Sequence, residues 1–179
     1  MVRSEARHVP VAGARTAQVL RGSLRGCGST GCNPEGMPPV LVKHLMTAPA
    51  ISFFEEQTLP LADEIMRLKH LRHLPVVNER QHLVGIVSHR DLLSAQISNQ
   101  TGMARDVRNA VQAHVRIGQI MTREVWTVQP DVPASVAAAT LVDHKFGCLP
   151  VVDMAGVLIG IITEHDLLRY AVKVLESME

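Results

Sequence analysis

Two short segments carry polar side chains suited to holding a ligand. One reads Gly85-Ile-Val-Ser-His-Arg-Asp91 and the other Gly160-Ile-Ile-Thr-Glu-His-Asp166. In each, an apolar run ends at a hydroxyl, and an aspartate follows three residues later. A strand that ends at Ser88 or Thr163 and turns into a helix leaves backbone N–H groups unpaired, and those groups favour phosphate. The hydroxyls of Ser88 and Thr163 can donate to a phosphate or ribose oxygen. Asp91 and Asp166, acceptor-only when ionised, can each accept from two vicinal ribose hydroxyls. For a lone copy, ordinary helix capping is the better account of Ser/Thr-x-x-Asp; the matched second copy favours ligand binding, and one side chain can do both jobs.

The two segments belong to a longer repeat. Shifted by 75 residues, Met46-Thr47 falls on Met121-Thr122, and Leu74-Pro75-Val76-Val77 on Leu149-Pro150-Val151-Val152. Without a gap, residues 46–93 show 13 identities in 48 aligned positions. Each copy reads β-α-β-β-α. An extended segment (51–53; 126–128) precedes a helix (60–70; 134–144). Two strands follow (74–77 and 83–88; 149–152 and 157–163), and a last helix starts near Arg90 or His165. Leu61, Ile65 and Leu68 recur at helical spacing, Pro60 suits a first helical turn, and Thr58 is a candidate cap. Between the copies, Met103, Val107, Val111 and His114 fall at helical spacing. Each copy is about 50 residues, small for an independent core, so the copies are expected to pack as one unit.

The chain has 179 residues, 46% apolar and 20% charged, which are globular proportions. Its five aromatics are Phe53, Phe54, Trp126, Phe146 and Tyr170. Together with a net charge of +1, that weighs against nucleic-acid platforms and anionic membranes as partners. No apolar stretch approaches the ~18 residues of a membrane span. Residues 1–36 differ in kind, with half of the twelve glycines and five arginines against two acids. This segment is read as a flexible or non-native tail, with Met37 as an alternative start. Cys27 and Cys32 lie in it at a spacing that suits neither a zinc finger nor a redox pair. Three cysteines form no disulfide framework, and the expected location is cytoplasmic. The expected division is 1–36 tail, 37–98 first copy, 99–116 connecting helix, and 117–179 second copy.

At Met-Thr, Leu-Pro-Val-Val and Gly-h-h-Ser/Thr-x-x-Asp, each copy resembles a CBS (cystathionine beta-synthase) motif. The pair resembles the tandem Bateman module over residues 42–174. The resemblance implies an α/β fold in which the two repeats are related by pseudo-twofold symmetry. It implies a cleft for adenosine-containing ligands: AMP, ADP, ATP or S-adenosylmethionine. It also implies regulation instead of catalysis, no required cofactor, frequent homodimerisation, and a regulated protein that the sequence leaves unknown.

The ribose and phosphate candidates are Ser88, His89, Arg90, Asp91, Thr163, His165 and Asp166. By resemblance, the adenine walls come from Thr47, Ala50, Ile51 and Pro75 and from Thr122, Val125 and Pro150, with Trp126 beside them. The first motif holds His89 and Arg90, with His73 before its Leu-Pro-Val-Val. The second holds Glu164 and His165, with Cys148 in place of His73. An arginine fork suits phosphate, whereas a carboxylate about 5 Å from one costs roughly 3 kcal/mol at an effective dielectric near 20. The first motif is therefore expected to take the more phosphorylated ligand. The second is expected to be weaker, empty, or suited to AMP or a cationic adenosyl ligand. A ligand-free dimerisation or docking module is the alternative. An enzyme is a further one, with little to carry it: the nine histidines form no metal-binding pattern, and Cys148 has no partner as a nucleophile.

Overall fold

The structure is a computed structural model that describes residues 7–8, 18–20, 39–96, 107, 110 and 112–179. Cys27, Cys32, Met37, Met103 and Val111 lie outside the described residues. The chain begins with two short strands, β1 (Arg7–His8) and β2 (Gln18–Leu20). The first copy then runs α1 (Val42–Leu45), β3 (Phe53–Phe54), α2 (Leu59–Leu68), β4 (His73–Val77), β5 (Leu83–Ser88) and α3 (His89–Ala95). The second copy runs α4 (Ile117–Ile120), β6 (Trp126–Val128), α5 (Ala134–His144), β7 (Cys148–Val152), β8 (Leu158–Thr163) and α6 (Glu164–Glu176). The fold is α/β with two matching repeats, as the sequence implies.

Each copy contributes a sheet in which a parallel pair is followed by an antiparallel hairpin. The first sheet is ordered β3-β4-β5 and the second β1-β2-β6-β7-β8. In the second, β2 pairs parallel with β6, matching Gln18 to Trp126 and Leu20 to Val128. The sequence reading assigned no strand before residue 37. The hairpin turns are built alike. The Asn78 side-chain oxygen accepts from the backbone N–H groups of Arg80 and His82, and Asp153 does the same for Ala155 and Val157. Such side chains stabilise turns by mimicking backbone acceptors. The left-handed position of each turn is Gln81 (φ 60°) in one copy and Gly156 (φ 84°) in the other.

Two differences from the sequence reading are local. Thr58 stands at the N-cap of α2, but its hydroxyl makes no capping bond; Pro60 does lie in the first turn. The helix ends at Leu68, and His70 turns left-handed (φ 53°).

The copies interlock through their leading segments. Thr47 of the first copy bridges to Ile161 in β8, and Thr122 of the second bridges to Ile86 in β5. These are matched pairs under the 75-residue shift. The cores are exchanged in the same way. Ile117 and Met121 from the second copy are buried with Phe53, Leu59, Met66 and Leu74 of the first. Val42, with Leu45 and Met46 packed beside it, completes the core around Leu141, Leu149 and Ile162 of the second. A small cluster of Leu83, Val125 and Val152 joins the two.

Candidate functional site

The crossing segments explain the motif's glycine. A Cβ at Gly85 would lie 2.5 Å from the Met121 sulfur and 3.0 Å from the Thr122 carbonyl oxygen. At Gly160 it would lie 2.9 Å from both the Met46 sulfur and the Thr47 carbonyl oxygen. Only glycine lets the opposite copy's opening segment lie this close. Each Ser/Thr-x-x-Asp therefore faces the opening segment of the other copy.

At the end of β5, the Ser88 backbone N–H and hydroxyl both donate to Oδ2 of Asp91, each at 2.7 Å. The Asp91 backbone N–H donates back to the Ser88 hydroxyl at 3.2 Å. Thr163 and Asp166 repeat the arrangement, with the Thr163 hydroxyl 2.6 Å from Oδ2 of Asp166. The capping reading is thus realised, and it uses one carboxylate oxygen. Oδ1 of Asp91 has no partner among the described residues. Oδ1 of Asp166 meets only the Thr47 hydroxyl, at 3.5 Å, the outer limit for such a bond. The sequence reading had both hydroxyls donating to ligand. Here their protons go to the aspartates, so each hydroxyl has acceptor capacity to offer instead.

Ser88, Arg90 and Asp91 line a cleft of about 340 Å³ together with Thr122, Val125 and Trp126 of the second copy. Phe146 also lines it, stacked on His144 with 5.2 Å between ring centroids and 6.1 Å from the Trp126 ring. Two aromatic side chains therefore wall this cleft. Their counterparts under the 75-residue shift are Ile51 and Leu71. Of the other aromatics, Phe53 is buried in the first core and Phe54 is partly exposed.

The remaining candidates fall elsewhere. Pro75 and Pro150 are buried within β4 and β7, paired with Ile86 and Ile161. Thr47, Ala50 and Ile51 belong to the opening segment that faces Asp166. His89 and His165 are exposed on the first turns of α3 and α6. Cys148, expected with the second motif, lines the first motif's cleft beside His73. Burial pushes its thiol up to about 12, with the Glu164 carboxylate adding to the rise. At neutral pH it is a packed thiol and a poor nucleophile. Burial also lowers the His73 pKa, against the opposing pull of Glu164 and Asp91. The sequence reading missed Lys145 and Glu124, which line the same cleft. No motif marks either residue. Among the described residues, no three His, Cys, Asp or Glu side chains gather as a metal centre requires. No helix described is long and apolar enough to cross a membrane.

This geometry has counterparts among known proteins. The family model of the CBS domain matches residues 42–98 and 117–173. The chain belongs to the CBS domain family. As a CBS pair it is 33% identical over 139 residues to a CBS domain-containing protein of Dictyostelium discoideum, covering 78% of this chain and 96% of that one. Its fold resembles a CBS domain pair solved with 5′-methylthioadenosine and S-adenosyl-L-methionine. The TM-score is 0.63 at 29% identity, covering 76% of this chain and 98% of that one. It also resembles an Arabidopsis thaliana CBS-pair protein solved with AMP. There the TM-score is 0.63 at 29% identity, covering 75% and 97% of the two chains. By contrast, the chain spans about a quarter of the homoserine O-acetyltransferases that it matches, 24% of the Methanococcus vannielii protein and 23% of the Methanococcoides burtonii one.

Proposed function

We propose that this CBS pair is a regulatory module that binds an adenosine-containing ligand between its copies and passes the bound state to a partner protein. One observation carries the reading. Each Ser/Thr-x-x-Asp motif faces the other copy's opening segment, and each aspartate caps with Oδ2 alone, its Oδ1 without a partner among the described residues in Asp91 and met only by the Thr47 hydroxyl in Asp166. That oxygen suits vicinal ribose hydroxyls, and the aromatic walls suit a purine. The relatives solved with AMP and with S-adenosyl-L-methionine support the same ligand class. The AMP, ADP, ATP and S-adenosylmethionine of the sequence reading all stay within it.

Thermal unfolding of the whole chain with each compound tests the reading. A ligand at 100-fold its Kd adds about 2.7 kcal/mol of stability. No shift with any of them would leave the docking module as the better account. That second reading has its own support. On α6, Leu168, Val172 and Leu175 form an exposed apolar stripe, with Leu168 at 64% exposure. Such a stripe suits a second copy or a regulated partner. Sedimentation of Leu168→Lys beside the parent chain tests self-association.

A further inference from the structure

The two sheets differ at one edge. In the second, β2 adds to β6 as a parallel strand, with Gln18, Val19 and Leu20 in register with Trp126, Thr127 and Val128. In the first, the matching strand is β3, and among the described residues it pairs with β4 alone. Under the 75-residue shift Trp126-Thr127-Val128 falls on Ile51-Ser52-Phe53, so both edges read apolar-hydroxyl-apolar. β6 begins at Trp126, where β2 pairs with it, whereas β3 begins only at Phe53. The β6 edge thus carries a strand added from outside the repeat, which is how an extended peptide docks on a sheet edge.

The seated strand matches this edge imperfectly. Thr127 is 1% exposed, and its hydroxyl is the one buried side-chain polar atom without a hydrogen-bond partner among the described residues. Ser52, in the matching place, is half-buried. The residue in register with Thr127 is Val19, and residues paired across neighbouring strands share a face. Valine has no group that can meet a hydroxyl. A buried hydroxyl without a partner is costly, whereas water satisfies it once the edge is open. The seat of β2 also spans only three residues. Both features favour exchange of β2 for a better-matched strand.

We propose that the β6 edge is a docking surface for an extended segment of a partner protein, and that residues 18–20 are its displaceable occupant. The partner's segment runs parallel to β6 and carries a serine or threonine in register with Thr127. Main-chain pairing gives the affinity, and the hydroxyl opposite Thr127 gives the selectivity. Trp126 lies on the docking strand and also lines the cleft, so a seated partner touches the strand that walls the ligand site. The surface goes beyond the ligand reading and does not depend on it.

The test uses the full chain without any adenosine compound, so its failure leaves the ligand reading standing. The probes are two fluorescein-labelled peptides with the sequence of residues 14–23, one unchanged and one carrying Val19→Thr. Fluorescence anisotropy reads their binding. Trp126, the only tryptophan in the sequence, reports on the β6 edge itself. The threonine peptide is expected to bind about fivefold or more tighter than the unchanged one, and to shift the Trp126 emission. In Thr127→Val, which keeps the shape and removes the hydroxyl, that preference should vanish. Val19→Pro in the chain removes a backbone donor from β2 and unseats it, so both peptides should bind about fivefold or more tighter to a freed edge. Equal affinity of the two peptides for the parent chain would overturn the proposal, as would a preference that survives Thr127→Val. So would the absence of binding to both the parent chain and Val19→Pro. If the chain instead dimerises in sedimentation, and Val19→Pro abolishes the dimer, the occupant is a second copy and the partner assignment fails. Should Val19→Pro not fold, the two peptides against the parent chain and Thr127→Val decide the matter alone.

Discussion

Asp91 divides its work between two oxygens. Oδ2 accepts from the Ser88 N–H and hydroxyl, and Oδ1 has no partner among the described residues, in a side chain that lines the cleft. This division separates capping from binding by mutation. Ser88→Ala loses a cap worth about 1 kcal/mol, measurable by urea unfolding, and should change ligand affinity little. Asp91→Ala should cost similar stability and also weaken every adenosine ligand by about tenfold or more, because a carboxylate to ribose hydroxyls is a charge-assisted bond. If both variants lose stability and neither loses affinity, the motif only caps. His73 gives a pH signature. Its folded pKa lies below the ordinary 6.5, chiefly through burial. The unfolded chain therefore takes up the proton first as pH falls. Stability is full above about 6.5 and declines as pH drops toward the lower folded value. Urea midpoints across that range should fall in the parent and flatten in His73→Gln. The motif residues were legible because Ser/Thr-x-x-Asp follows a strand twice in register. Which carboxylate oxygen stays free was not, because that depends on side-chain torsions that no residue pattern encodes.

At the scale of elements, the repeat register predicted the helices and strands closely, because apolar period and turn residues act locally. Helix 134–144 and strand 83–88 coincide with α5 and β5. Thr58 fits the pattern of a cap, yet its hydroxyl bonds nothing at that helix end. Strand β2 went unread because its pairing with β6 joins residues more than 100 apart, and a three-residue strand shows no period. Glycine 85 and glycine 160 test the crossing of the opening segments. Replacement by alanine forces the Met121 or Met46 sulfur, and a backbone carbonyl, to move. Overpacking of this kind costs about 1–3 kcal/mol, and urea unfolding should show it for either variant. The hairpin turns give a paired comparison. Gln81 pays left-handed strain that Gly156 avoids. Gln81→Gly should leave stability unchanged or raise it by up to about 1 kcal/mol, whereas Gly156→Gln should lower it by a similar amount. A marked loss in Gln81→Gly would show that the glutamine side chain contributes more than its backbone strain costs.

The whole molecule is held by exchange. Sequence periodicity shows two alike copies but cannot say whether an opening segment serves its own copy or the other, since the loop lengths permit both. The structure chooses the other: Ile117 and Met121 complete the first core, and Val42 the second. Each fully buried side chain of this size contributes about 1.5–3 kcal/mol. A single copy of residues 37–98 would lack these partners, and at about 60 residues it has little stability to spare. Yet the copies are alike, with Met46 and Met121 in matching places against Gly160 and Gly85. A lone copy can therefore supply its own opening segment to a second molecule of itself. Residues 37–98 alone are expected to be largely unfolded at low concentration and to regain helix and sheet signal only as a dimer. Circular dichroism across a concentration series, with sedimentation equilibrium on the same samples, reads this directly. Met46→Asp should abolish the dimer while changing the unfolded monomer little. A monomer that folds cooperatively at every concentration would mean that the exchanged contacts are dispensable. Ligand binding at one cleft would then have no obligatory route to the other copy, because it is through the shared segments that a ligand held by both copies reaches the whole fold.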